Sequence, residues 1–332
     1  MKKIFGFLFL FILVVFYFLR KDQTHQEKTD FQQQLSQAAK GLSKKIDLNL
    51  MKKYLEENQS IYDYWAVWIA LPENSKEREL VQKQAESKFA RFYLILLESE
   101  NFYKPKTKES LERWAKEDLK NPLPHFYLSL YFAHLKDMTQ AERELKLAHS
   151  QEFINDDFLF YQSLMRLLTP KGSKESVHRL LFGWVSLQIN RFSLRPLFTR
   201  FVFSEAKISP VKDHPDFLLS VASFLDKFPS ALSKRLGTHL KLKVKQIEKK
   251  TLKSNEEEKM KKLDLEENLL KKKKSCLSKL GDIENFHIPK TIKTLEAKKA
   301  QEMIEFYLRE GGYEFSRQVA LKDESFEPRD CL

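Results

Sequence analysis

Residues 122–153 read PLPHFYLSLYFAHLKDMTQAERELKLAHSQEF, and the fold follows from how they are spaced. Residues three and four apart are neighbours on a helix surface, so Leu128, Ser129 and Phe132 share one face of a first helix. Ala141, Leu145 and Ala148 share one face of a second, and Lys136-Asp137 supplies the turn between them. The small residues Ser129, Ala141 and Ala148 stand where two helices must approach closely, while Phe132 and Leu145 fill the space on either side. The stretch therefore predicts an antiparallel helical hairpin.

Helical patterns continue on both sides. Upstream they run over 48–57, 60–71, 75–98 and 108–119, with Pro72, Pro105, Pro122 and Pro124 between or at the head of them. Proline lacks an N–H and restricts the residue before it, so it ends one helix and opens the next. Eight Gly and 11 Pro in 332 residues, with 42% hydrophobic and 13% aromatic content, suit long helices around an ample core. Alternating Val/Ile/Thr runs joined by Asn-Gly or Asp-Gly turns are missing, which argues against a sheet protein. The expected class is all-α.

The spacing within 122–153 resembles a tetratricopeptide repeat. In that family a small residue on the first helix, here Ser129, meets an alanine twelve positions on, here Ala141, and a second alanine seven later, here Ala148. His125 stands where the family often has Trp, and Phe153 where it often has Pro. A second copy can be traced through Ser163, Ser176, Leu180 and Gly183, so the resemblance covers residues 123–187. A generic helical bundle is the alternative. The resemblance implies at least three stacked repeats with a concave face that takes a protein or peptide partner. Tyr62, Tyr64, Trp65 and Trp68, from IYDYWAVW, are candidates to line that groove, against the plainer role of core aromatics.

The body would be held at a membrane. The run Ile4 to Leu19, IFGFLFLFILVVFYFL, has no charge and is bracketed by Lys2, Lys3, Arg20 and Lys21. As a helix its sixteen residues span about 24 Å, which snorkelling basic stems extend toward the roughly 30 Å hydrocarbon core. A cleaved signal would end in small residues, whereas Tyr17-Phe18-Leu19-Arg20-Lys21 is bulky and then charged. The three-residue tail before the run stays cytoplasmic, so a single-pass inner-membrane protein with an extracytoplasmic, periplasmic body is expected.

The organisation that follows is an anchor at 1–21, a polar Gln-rich stalk at 22–41, a repeat-like helical region at 42–236, long basic helices at 237–310 and a tail at 311–332. Within the helical region, 192–229 reads as short helices that cap the array, broken by Pro196, Pro210, Pro215 and Pro229. Between Gly237 and Gly281 neither Gly nor Pro occurs, which permits one long helix or, with a restart at Ser254-Asn255-Glu256-Glu257, two. Its apolar seam is too thin to establish a sustained coiled coil, and 291–309 is expected to fold back along it as a hairpin. The tail has a short extended look at YEFSRQVAL.

The net charge of +12 and pI near 9.3 come mostly from Lys on helix surfaces. Nucleic acid is disfavoured as a partner for an exported body, while anionic lipid or another acidic envelope surface is a natural neighbour for Lys271, Lys272, Lys273 and Lys274. The local alternative places these four at a helix C-terminus, where the dipole favours cations. Two cysteines, Cys276 and Cys331, are too few for a disulfide framework; in an oxidising compartment they can pair, and otherwise they are free thiols. No His-Glu-x-x-His, Gly-x-Ser-x-Gly, phosphate-loop or dinucleotide motif occurs, and no catalytic residue, cofactor or metal ligand can be named. The expected function is a scaffold that binds protein or peptide partners. The alternatives are an envelope enzyme or regulatory subunit acting on a cell-wall polymer, and a cytoplasm-facing adaptor for nucleic acid or anionic lipid.

Overall fold

The computed structural model describes residues 48–71, 75–96, 102–152, 156–168, 201, 213–228, 230–252, 256–282, 297–310 and 312–321. The described residues form thirteen α-helices and no strand: α1 (Leu48–Glu57), α2 (Ile61–Ala70), α3 (Lys76–Lys88), α4 (Ala90–Leu96), α5 (Pro105–Glu117), α6 (Leu123–His134), α7 (Met138–His149), α8 (Asp156–Leu168), α9 (Pro215–Asp226), α10 (Ala231–Thr251), α11 (Glu257–Asp282), α12 (Ala297–Glu310) and α13 (Gly312–Ala320). The chain is all-α, as its composition demanded. Among the described residues no helix is long and apolar enough to cross a membrane. The run 4–19 and the stalk at 22–41 lie outside the described residues, as do Ser176, Leu180, Gly183 and Trp184.

The helices pack largely as sequential pairs, α6 on α7, α10 on α11, α9 on α10 and α5 on α6, with α2 on α8 as a long-range pair. Two cores result. One joins α4, α5, α6, α7, α9 and α10 around Trp114, Phe126, Tyr127 and Phe224. The other joins α1, α2, α3, α4 and α8 with α12 and α13 around Trp65, Phe92, Phe160 and Tyr307. Helix α4 divides them, giving Ala90 and Leu94 to the first and Phe92 and Ile95 to the second.

Several local expectations change. The single helix expected over 75–98 breaks at Phe89, which takes an extended conformation. Tertiary contacts account for the break: the Phe89 ring meets Tyr64 edge-on at 5.7 Å, and the Ala90 N–H donates to Glu117 Oε2 at 3.0 Å. The long helix of 237–281 is two, because α10 ends at Thr251 and α11 returns antiparallel to it. The hairpin partner of the long helix is therefore α11. Helix α12 packs instead on α8 and α13, bringing Met303, Phe306 and Tyr307 into the second core. The tail residues expected to be extended are helical in α13, and Phe315 seals the same core.

Gly237, drawn as a boundary between regions, sits inside α10 at its closest approach to α9. A third, smaller cluster gathers Ala231, Cys276, Leu280 and Ala320 where α10, α11 and α13 meet. Cys276 is 4% exposed and disulfide-bonded. Cys331, the other cysteine of the sequence, lies outside the described residues.

Candidate functional site

The hairpin that decided the fold is α6 and α7. Ser129, Ala141 and Ala148 are fully buried, Leu128 and Leu145 nearly so, and half-buried Phe132 packs against the same core. Lys136 turns the chain with φ at 66°, and the Asp137 side chain caps α7 by accepting from the Gln140 N–H at 3.1 Å. His125 reaches across to Glu144 with Nδ1 to Oε2 at 2.7 Å. His149 Nε2 faces the Ser220 carbonyl at 3.0 Å and so donates to it, tying α7 to α9.

The four aromatic residues considered for a groove are mostly core. Trp65 is fully buried, Trp68 stacks on it at 4.9 Å, and both meet the Phe92 ring edge-on. Tyr64 is 4% exposed and receives Lys88 Nζ at 2.8 Å; Tyr62 alone of the four is half-buried. The cause is α2 itself, which is apolar nearly all round and buries eight of its ten residues.

Under α2 lies a buried carboxylate. Asp63 closes a capping box with Ser60, accepts from Tyr54 Oη at 2.7 Å, and is bridged by Arg166 Nη2 at 3.1 Å. Burial pushes the Asp63 pKa up, but hydrogen bonds from Ser60, Tyr54 and Ser163 outweigh it and hold the carboxyl below its ordinary value. The same burial, with the Asp63 charge, drives the Tyr54 phenol far up. The network fastens α1, α2 and α8 together.

A concave feature lies between α10 and α11. It is a cleft of about 500 Å³ lined by Arg235, Leu236, His239, Leu242, Lys243 and Gln246 from α10 and by Lys271, Lys274, Ser275 and Ser278 from α11. The two helices run in opposite directions, so as numbers rise on α10 they fall on the facing part of α11. Arg235 Nη1 meets Ser278 Oγ at 3.2 Å, and Lys274 Nζ donates to His239 Nδ1 at 3.1 Å. Further toward the connecting turn, Lys245 pairs with Glu266 at 2.9 Å, and Lys249 pairs with Asp264 and with Glu267, the latter at 2.8 Å. Hydrogen bonds from Lys249 and Lys271 pull the Glu267 pKa down to about 2.

Of the four lysines named from sequence, Lys271 and Lys274 line the cleft while Lys272 and Lys273 do not. Their spacing explains this: 271, 274, 275 and 278 share one helix face. The run begins eleven residues before Asp282 and ends eight before it, two to three turns from the end of α11. Dipole stabilisation fades within the last turn, so that local role does not hold. Sequence reading missed Arg235, His239 and Lys243, although basic residues at i, i+4 and i+8 were a readable signal.

No protein-family model, curated protein sequence or solved structure matches the chain. Among the described residues no group of three or more His, Cys, Asp and Glu side chains is placed to hold a metal ion.

Proposed function

We propose that the chain is a membrane-tethered scaffold whose helical body, outside the cytoplasm, binds a protein or peptide partner. The observation that carries the reading is the α6–α7 hairpin, in which Ser129, Ala141 and Ala148 let two helices meet closely, as in a tetratricopeptide repeat. Sequential pairing of α5 with α6 supports a stacked arrangement, which builds broad binding surfaces without a catalytic centre. The bracketed apolar run at 4–19 fits an anchor.

Reporter fusions after Leu332 in the intact chain test the placement. Active alkaline phosphatase, with a dark cytoplasm-only fluorescent protein at the same position, is expected. The reverse pattern overturns it. Crosslinking of the full chain in cells is then expected to recover a defined envelope protein that binds the purified full chain saturably. Recovery of lipid or glycan alone counts against a protein-binding scaffold.

A further inference from the structure

We propose that the cleft between α10 and α11 is a binding site for a phosphate-bearing ligand of the monoester class. The inference stands apart from the scaffold reading, because it rests on the C-terminal helical hairpin alone.

The hairpin divides its charge along its length. Near the turn two cations of α10 meet acids of α11: Lys245 with Glu266, Lys249 with Asp264 and Glu267. Nearer the other end the same facing geometry sets Arg235 against Ser278 and His239 against Lys274. Cations and hydroxyls here occupy the positions that carry acids near the turn. None of the described lining residues is Asp or Glu, while five are Arg, His or Lys. One lining cation, Lys271, already meets an acid, Glu267 at 2.8 Å, which is shared with Lys249.

The donor set selects the anion. A lone carboxylate is planar and is satisfied by one guanidinium, whereas a phosphate offers three oxygens to donors from several sides. Arg235 supplies a planar fork, Lys271 and Lys274 supply point charges, and Ser275 and Ser278 supply hydroxyls. Lys274 already reaches His239 Nδ1 at 3.1 Å, which draws the two helices' donors together on the cleft. A volume near 500 Å³ exceeds bare phosphate and falls within the usual range for small ligands, and Leu236 and Leu242 provide apolar wall for whatever carries the phosphate. A soluble phosphomonoester and the headgroup of a phosphomonoester lipid share this chemistry.

The test uses the full chain in a zwitterionic detergent at about 0.15 M salt, where a Debye length near 8 Å suppresses diffuse attraction. Glycerol 3-phosphate is titrated by calorimetry in one arm. In the other, mixed micelles carry phosphatidic acid or, as the diester comparison, phosphatidylserine. Saturable binding in either arm is expected, weakened at least tenfold, or about 1.4 kcal/mol, in Arg235→Gln/Lys274→Gln and little changed in Lys250→Gln on the exposed end of α10. Arg235→Lys, which keeps charge without the fork, is expected to fall between. Circular dichroism at 222 nm verifies that each variant folds. Binding of glycerol 3-phosphate assigns a soluble ligand, and binding to phosphatidic acid micelles alone assigns the headgroup. Equal binding by the double variant, equal response to phosphatidylserine, or no saturable binding in either arm overturns the proposal.

Discussion

Replacing Gly237 by alanine is expected to destabilise the protein, against the ordinary helix preference. In an open helix interior the change gains roughly 0.5–1 kcal/mol, because glycine loses the most backbone freedom on ordering. Gly237 is not open. A Cβ there would lie 2.8 Å from the Ala222 carbonyl oxygen, 3.0 Å from Asp226 Oδ1 and 3.4 Å from Leu225 Cβ, all on α9. The carbonyl is held in its own helix. The Asp226 carboxylate is held by Lys241, and Lys234 reaches the Asp226 backbone oxygen, so neither can swing aside without breaking a charged contact.

Relieving the 2.8 Å approach to the 3.4 Å of ordinary contact separates the helices by about 0.6 Å along a packed seam. That seam includes Phe217, Val221, Phe224, Leu236, Leu240 and Val244. Overpacking of this kind costs about 1–3 kcal/mol, so the net loss after the propensity gain is about 1–2 kcal/mol. Thermal unfolding of the full chain in detergent, followed at 222 nm, reads it as a fall of a few degrees; the scale is roughly 2–4 °C per kcal/mol at 150–250 residues and less in longer chains. Gly281→Ala is the internal control, since a Cβ at 281 meets nothing within 4 Å. Its expected change is neutral to slightly stabilising. A Gly237→Ala protein as stable as the parent, or two alanine variants shifting together, would refute the close approach of α9 and α10.

Three further outcomes follow from the buried polar groups and the cysteine. Ser129 Oγ is buried without a hydrogen-bond partner, so Ser129→Ala should stabilise by about 1 kcal/mol in denaturant titration, whereas Ser129→Leu should cost about 1–3 kcal/mol by forcing α6 from α7. Asp63→Asn should lose about 1–3 kcal/mol at neutral pH. Since the native carboxyl titrates below its ordinary value, its contribution is complete above that value and is lost as pH falls through the depressed pKa; the gap between parent and variant should therefore close in acid, and a constant gap would contradict the network. The expected Cys276 to Cys331 bridge would close a loop of 55 residues, for which the chain-entropy account gives about 4 kcal/mol. A reductant should then lower the melting temperature of the parent but not of Cys276→Ser, while alkylation of both thiols without reductant would exclude the bridge.

What could be read from the sequence was whatever one helix writes along its own face. Ser129, Ala141, Leu145 and Ala148 were legible because close packing selects small residues at fixed three- and four-residue steps. The helix break at Phe89 was not, because no Gly or Pro marks it; Tyr64, 25 residues upstream, and Glu117, 28 downstream, fix it from other helices. Trp65 and Trp68 were legible as aromatic, yet only the packing of α2 against Phe92 and α8 decides that they face inward. Ser60 followed by Asp63 is a local capping signal, but its second use, as the anchor for Arg166 about a hundred residues away, is long-range.

The cleft belongs to the same divide. Arg235, His239 and Lys243 form one stripe and Lys271, Lys274, Ser275 and Ser278 another, and each alone is an ordinary solvated face. Their meaning comes from the register of α11 on α10. Folding α11 back so that Lys249 meets Asp264 and Glu267 brings Lys274 to His239 and Ser278 to Arg235. Ion pairs on helix surfaces are individually weak, worth about 0–1 kcal/mol where such pairs are measured, so the apolar contacts of Leu240, Val244 and Leu277 must supply most of the hairpin's stability. What the ion pairs supply instead is choice of register, because a slip of four residues would oppose Lys249 to Met260 and Leu263, or to Asn268 and Lys271, in place of its acids. The acidic half of α11 thus serves the basic half: it fixes the alignment that holds the cations of both helices against one cleft.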